Sequence, residues 1–152
     1  MYSLSHAIVV NPAGVEPKLT REQLWKGLEM KAVDAKPFVG PAMSQCDVIE
    51  RGDNTLLREI TFNGMQSKEL ITFFEPVKLQ FERQDGTGWI DNVISDFGDD
   101  LILTFTFGLR FPGIADGSAE EKAHGDNVRG AYVGAVAATI AQSRQLVIDG
   151  KV

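Results

Sequence analysis

The sequence predicts an α+β domain in which a curved antiparallel sheet closes on one long C-terminal helix, with one or two short helices after the first strand. Three observations carry this. Ala131 to Ala141 is almost wholly small and apolar and lies inside a longer helical pattern. Ahead of it, Ser44 to Phe111 alternates with a period of two and is cut by regular turn signals. The chain has 152 residues, 43% of them hydrophobic, which suits one domain (1–152) with a substantial core and is short for two. So apolar a helix is expected to be buried, the sheet must then bend around it, and a bent sheet gripping one helix tends to leave a hollow.

Each element follows in order. Ser3 to Asn11, with His6, Ala7, Ile8, Val9 and Val10, reads as a first strand, and Asn11-Pro12 and the Pro/Gly-rich run to Pro17 stop it. A helix starts at Thr20: its hydroxyl caps the first turn, Gln23 reaches back, and Leu19 and Leu24 occupy the two positions of a hydrophobic staple. Leu24, Trp25, Leu28 and Ala32 give that helix its buried stripe. A short turn of helix over Asp34 to Phe38 follows, and Pro37 and Pro41 keep it from growing. Turn signals at Gly52-Asp53-Asn54, Asn63-Gly64, Glu75-Pro76, Asp85 to Gly88 and Gly98 to Asp100 divide the next stretch into a six-strand meander. Asn63-Gly64 is the sharpest signal, because a two-residue type I′ turn needs positive φ at both positions. Ser118 and Glu121 form a second capping box, opening a helix to about Ile148, roughly 45 Å long. Gly125 is a candidate for delaying or kinking its first turns.

Alternation assigns faces. Leu101, Leu103, Phe105, Phe107 and Leu109 turn inward, as do Val77, Leu79 and Phe81. Leu56, Arg58, Ile60 and Phe62 share a face, which sets a guanidinium among apolar neighbours. On the sixth strand Ile90, Asn92 and Ile94 form the expected inner face, with Trp89, Asp91 and Val93 the alternative. Val128, Tyr132, Ala135, Val136, Thr139, Ile140 and Ser143 make one stripe on the long helix.

The order of elements, together with Val10-Asn11-Pro12, Leu19 to Leu28 (LTREQLWKGL), Leu56 to Phe62 (LLREITF), Leu103 to Phe107 (LTFTF) and Ala131-Tyr132, resembles the START-like, or birch-pollen-allergen-like, helix-grip superfamily. Within it the chain looks like the AtaL-like family, formerly a domain of unknown function, over nearly its whole length. The resemblance implies a seven-stranded antiparallel sheet wrapped around the C-terminal helix, with an internal cavity. It implies no established activity.

The ligand-binding candidates are Arg58, Asn92, Tyr132, Phe62, Phe81, Phe105, Phe107, Val136 and Thr139. An inward guanidinium loses several kcal/mol of hydration unless it is paired or reaches water, so Arg58 stands out. It is read either as a clamp for a carboxylate, enolate or carbonyl oxygen, or as a structural partner of Asp91 or another acid, or as snorkelling to the cavity mouth. Asn92 and Tyr132 could bond a ligand, although a buried amide or phenol more often serves nearby backbone. The phenylalanines are core, cavity wall or both.

Other motifs fail. His6 and His124 are the only histidines and lie far apart, so no metal site or triad is expected, and no cofactor. Asp96-Phe97-Gly98 lacks every companion of the kinase magnesium motif and reads as a hairpin turn. Gly86-Thr87-Gly88 precedes a strand, which makes no phosphate cradle. Cys46 has no basic partner to activate it. A net charge of -6 argues against nucleic acid and anionic membranes as partners. One cysteine and no leader pattern suggest a cytoplasmic setting, and the apolar run is too short to span a bilayer.

The expected function is binding of a hydrophobic small molecule (lipid, polyketide or aromatic metabolite) in the cavity. A cyclase or dehydratase using the same cavity is the alternative. A protein-interaction module, including a homodimer, is a third, resting on Gly130, Gly134, Ala137, Ala138 and Ala141.

Overall fold

A computed structural model of the protein describes residues 1–152. In chain order it contains β1 (Tyr2–Val9), α1 (Arg21–Val33), α2 (Lys36–Val39), β2 (Met43–Arg51), β3 (Thr55–Phe62), β4 (Met65–Phe74), β5 (Lys78–Arg83), β6 (Gly88–Phe97), β7 (Asp100–Leu109) and α3 (Ala119–Ile148). The strands form one sheet in the order β1-β7-β6-β5-β4-β3-β2, antiparallel throughout. β2 to β7 are thus the expected meander, and β1 pairs with the free side of β7. The chain crosses from one sheet edge to the other through α1 and α2, and these helices cover the inner face together with α3.

Local chemistry fixes the joints. The Thr20 hydroxyl accepts the Gln23 amide at 3.1 Å, and the Gln23 side chain accepts the Thr20 amide at 3.0 Å. The adjoining Asn11 side chain bonds both the amide and the carbonyl of Leu19 at 2.8 Å. Arg144 of α3 donates to the carbonyls of Pro17 at 2.9 Å and Val10 at 2.8 Å. Val10-Asn11-Pro12 is therefore a structural knot joining the end of β1, the start of α1 and the last turns of α3. Asn63 and Gly64 take φ of 50° and 78°, as the tight hairpin requires.

Three expectations are corrected. Val77 lies in the turn before β5 and is 45% exposed, because strand pairing begins only at Lys78. Ser118 caps α3, but the Glu121 carboxylate accepts from the Gly117 amide at 3.1 Å rather than closing the box. Gly125 does not interrupt α3; the Tyr2 ring occupies the space that a Cβ would need there, so this glycine serves close packing of β1 on the helix.

The apolar run of α3 is also only half buried. Val136, Thr139 and Ile140 are enclosed, whereas Ala131, Gly134, Ala137, Ala138 and Ala141 are exposed. Such small side chains expose little apolar area each, so water on that face costs little. On the opposite side, Gly27 of α1 meets the Ser143 side chain of α3, and no Cβ would fit between them without displacement.

Candidate functional site

The interior is divided along the sheet. Where α1 begins and α3 ends, Leu24, Leu28, Leu79, Ile94, Leu103 and Ile140 pack in one cluster. Towards the end of α1 and the middle of α3, the elements diverge around a cavity of about 500 Å³. Phe38 and Val39 of α2, Met43 of β2, and Ala131, Gly134 and Ala138 of α3 line it. Since these three α3 residues are exposed, the cavity meets solvent beside the small-residue face of the helix.

Most of the expected residues converge here. Arg58, Phe62, Phe81, Phe105, Phe107, Tyr132 and Thr139 all line the cavity. The Phe107 and Tyr132 rings meet edge on, their centroids 5.1 Å apart. Thr139 bonds the Ala135 carbonyl with its hydroxyl at 2.8 Å, leaving its methyl group as the apolar part of that surface. Two candidates do not reach the cavity lining: Val136 is fully enclosed in the packed cluster, and Asn92 stands behind another side chain. The inner face of β6 is Ile90, Asn92 and Ile94, as expected.

Arg58 is 3% exposed and its bonding is largely spoken for. Its Nε and one terminal nitrogen donate to the same oxygen of Glu69 at 3.1 and 2.8 Å. The other terminal nitrogen donates to the carbonyls of Lys31 at 2.8 Å and Ala32 at 2.9 Å. The partner acid is therefore Glu69, not Asp91, which lies 3.9 Å from Lys78. The guanidinium closes the last turn of α1, whose final carbonyls have no helical donor. Its role is structural before it is a ligand clamp.

The polar group that sequence reading missed is Lys31. It is 8% exposed, its Nζ donates to Asn92 Oδ1 at 3.0 Å, and it lies 4.2 Å from the Phe105 ring centre and 5.4 Å from that of Phe81. Burial first, and the Arg58 guanidinium second, push its pKa down to about 7, with Glu69 opposing. An amine of this kind donates hydrogen bonds when charged and becomes a base or nucleophile when neutral.

Lys31, and Glu69 as the partner of Arg58, were both missed, yet each had a signal. Lys31 falls three residues after Leu28 and seven after Leu24, on the buried stripe of α1. The Asn63-Gly64 turn pairs Phe62 with Met65, and the same ladder then sets Arg58 opposite Glu69. Cys46 is buried and structural: its sulfur accepts the Ala35 amide at 3.4 Å and holds the joint between α1 and α2 against β2. No group of histidine, cysteine or acidic side chains is arranged to hold a metal ion. No helix is long and apolar enough to cross a membrane.

Residues 4–150 match the family model described as acetylaranotin biosynthesis cluster protein L, AtaL. No curated protein matches the chain. Among solved structures, the Zhui aromatase/cyclase from Streptomyces sp. R1128 is 14% identical with a TM-score of 0.65, covering 96% of this chain and 95% of that one. The di-domain ARO/CYC BexL from the BE-7585A biosynthetic pathway is 12% identical with a TM-score of 0.65. The match covers 95% of this chain but 49% of BexL, so the chain spans about half of that protein. Ara h 8.0201 is 11% identical with a TM-score of 0.61, over 93% of this chain and 97% of that one. At these identities the likeness shows a shared fold, the birch-pollen-allergen-like helix-grip.

Proposed function

The chain belongs to the AtaL family, and from that membership together with the cavity we propose that it binds a hydrophobic small molecule between the sheet and the C-terminal helix. A lipid, a polyketide or an aromatic metabolite fits the description. The observation that carries this reading is the cavity itself: about 500 Å³, with 16 of its 23 lining residues hydrophobic. A volume of that order suits a small ligand, and burial of apolar surface would supply about 25 cal/mol per Å² before ordering costs.

The test is a thermal-shift and native mass-spectrometry screen of lipids, fatty acids and aromatic polyketides. A ligand present at a hundredfold excess over its Kd should stabilise the fold by about 2.7 kcal/mol. A library that yields no stabilised sample and no mass adduct would end the proposal.

A second reading, a cyclase or dehydratase acting in the same cavity, draws support from Lys31, an amine brought to a pKa of about 7 beside the Arg58–Glu69 pair and held by Asn92 at an otherwise apolar cavity. The likeness to aromatase/cyclases agrees with it at the level of fold. Incubation with a poly-β-ketone thioester mimic should then change the distribution of cyclised products. Products identical to those formed without protein would leave binding alone. A homodimer through the exposed small-residue face of α3 is addressed by light scattering, where a monomer mass would dismiss it.

A further inference from the structure

The charge lining the cavity is opposite in sign to that of the protein around it. The chain carries a net charge of -6, yet Lys31, Arg58 and Arg83 line the cavity with Glu69 as the one carboxylate among them. That carboxylate is already committed, since one of its oxygens takes two N–H bonds from Arg58. Arg83 stands across the β4–β5 ladder from Glu69, whose ion-pair partner is Arg58 instead. Lys31 and Arg83 thus make no ion pair at contact distance, although the Glu69 carboxylate is close enough to Lys31 to favour its charge.

Lys31 is the deeper of the two. Its hydrogen bond to the neutral Asn92 amide leaves the remaining N–H groups of the ammonium free; the Phe105 and Phe81 rings lie beside it, and the Arg58 and Glu69 charges act on it with opposite signs. Aromatic faces soften the burial of a cation but do not accept a strong hydrogen bond. An ammonium held in apolar surroundings without a directly bonded anion is a costly arrangement, and an incoming anion relieves it.

We propose that the cavity takes an apolar molecule bearing a carboxylate, whose oxygens bond to the Lys31 Nζ while the apolar body rests against Phe62, Phe81, Phe107 and Tyr132. This rests on the binding function proposed above and narrows its ligand class. It also moves the polar contact from Arg58, whose donors serve Glu69 and backbone, to the amine across the α1 turn. The ligand's charge restores the amine's preference for its protonated form, so binding draws a proton from solvent when the free amine is neutral. The charged and titratable groups sharing the cavity wall are Arg58 on β3, Glu69 on β4, Arg83 on β5 and Tyr132 on α3.

Matched pairs test this: 2-naphthoate against 2-naphthamide, and dodecanoate against dodecanamide, titrated calorimetrically into the wild-type protein and Lys31→Met. Each acid should bind wild type about tenfold or more tightly than its amide. Lys31→Met should erase that preference while still binding the amides, which also shows that the variant folds. In wild type at pH 8, two buffers of different ionisation enthalpy should report proton uptake with the acids and none with the amides. Amides that bind as tightly as acids, without proton uptake, would overturn the carboxylate assignment and leave the cavity's binding function standing. Failure of all four compounds to bind would overturn both. Acid preference that survives Lys31→Met would remove Lys31 from the role.

Discussion

At the end of the sheet where α1 begins, Leu24, Leu28, Leu79 and Leu103 are completely enclosed, and Arg21 pins the helix to the carbonyls of Pro76 and Ile94 at 3.2 Å. At the other end the same sheet and helices stand apart around about 500 Å³, held by the Arg58–Glu69 pair and the Arg58 bonds to the last turn of α1. Apolar contact secures one half, and a polar bracket secures the other. The difference shows how a domain of this size can keep a hollow: tight apolar packing is concentrated away from the open end.

Substitutions can break that contrast. The largest loss is expected from Glu69→Leu, which strands a buried guanidinium and should cost about 3–5 kcal/mol in urea unfolding. A loss below about 1 kcal/mol would mean that water reaches the bracket and that it does not hold the hollow end together. Next comes Leu103→Ala in the packed half, at about 2–5 kcal/mol. Its counterpart in the hollow half, Phe107→Leu, should stay within about 1.5 kcal/mol, because a ring bordering open space has fewer neighbours to lose. Equal losses at the two positions would erase the distinction.

A pH-bound effect sharpens the comparison. The Lys31 amine is lowered to about 7 in the folded state, against its ordinary value of 10.5, so between these values the unfolded chain holds the extra proton. Stability from this group is therefore poorest below about 7 and improves as pH rises toward 10.5. Denaturation midpoints at pH 6.5 and pH 9 should differ less in Lys31→Met than in wild type. Identical shifts in the two proteins would show that folding does not lower the amine's pKa. The smallest effect belongs to Ala138→Val at the mouth: stability within about 0.5 kcal/mol of wild type, but slower ligand association in stopped-flow fluorescence. Unchanged association would place the entrance elsewhere.

The fold was legible because its signals are local. Thr20 with Gln23, Asn63-Gly64 and the period-two runs each name their element without help from distant residues. The lining of the cavity, the candidate site, was legible as a list of inward aromatic and aliphatic positions, since alternation assigns a face. What alternation cannot assign is depth: Val136 and Thr139 share a helix stripe, yet one sits in the packed half and the other at the cavity. Asn92 faces inward as expected but is screened by a lysine arriving from α1, a contact that depends on how two elements cross. Lys31 and Glu69 were within reach of arithmetic on the helix stripe and the hairpin ladder. They escaped because charged residues are by habit assigned to the surface.

The knot of Asn11, Leu19 and Arg144 fixes where this molecule can yield. It lies about 15 Å along α3 from Gly134, at the far end from the mouth. If the proposed ligand binds, it would be admitted as through the neck of a purse whose base is stitched shut, with α2 giving way while the seam stays closed. Amide hydrogen exchange should accordingly run fast across Lys36 to Val39 and slow at Val10.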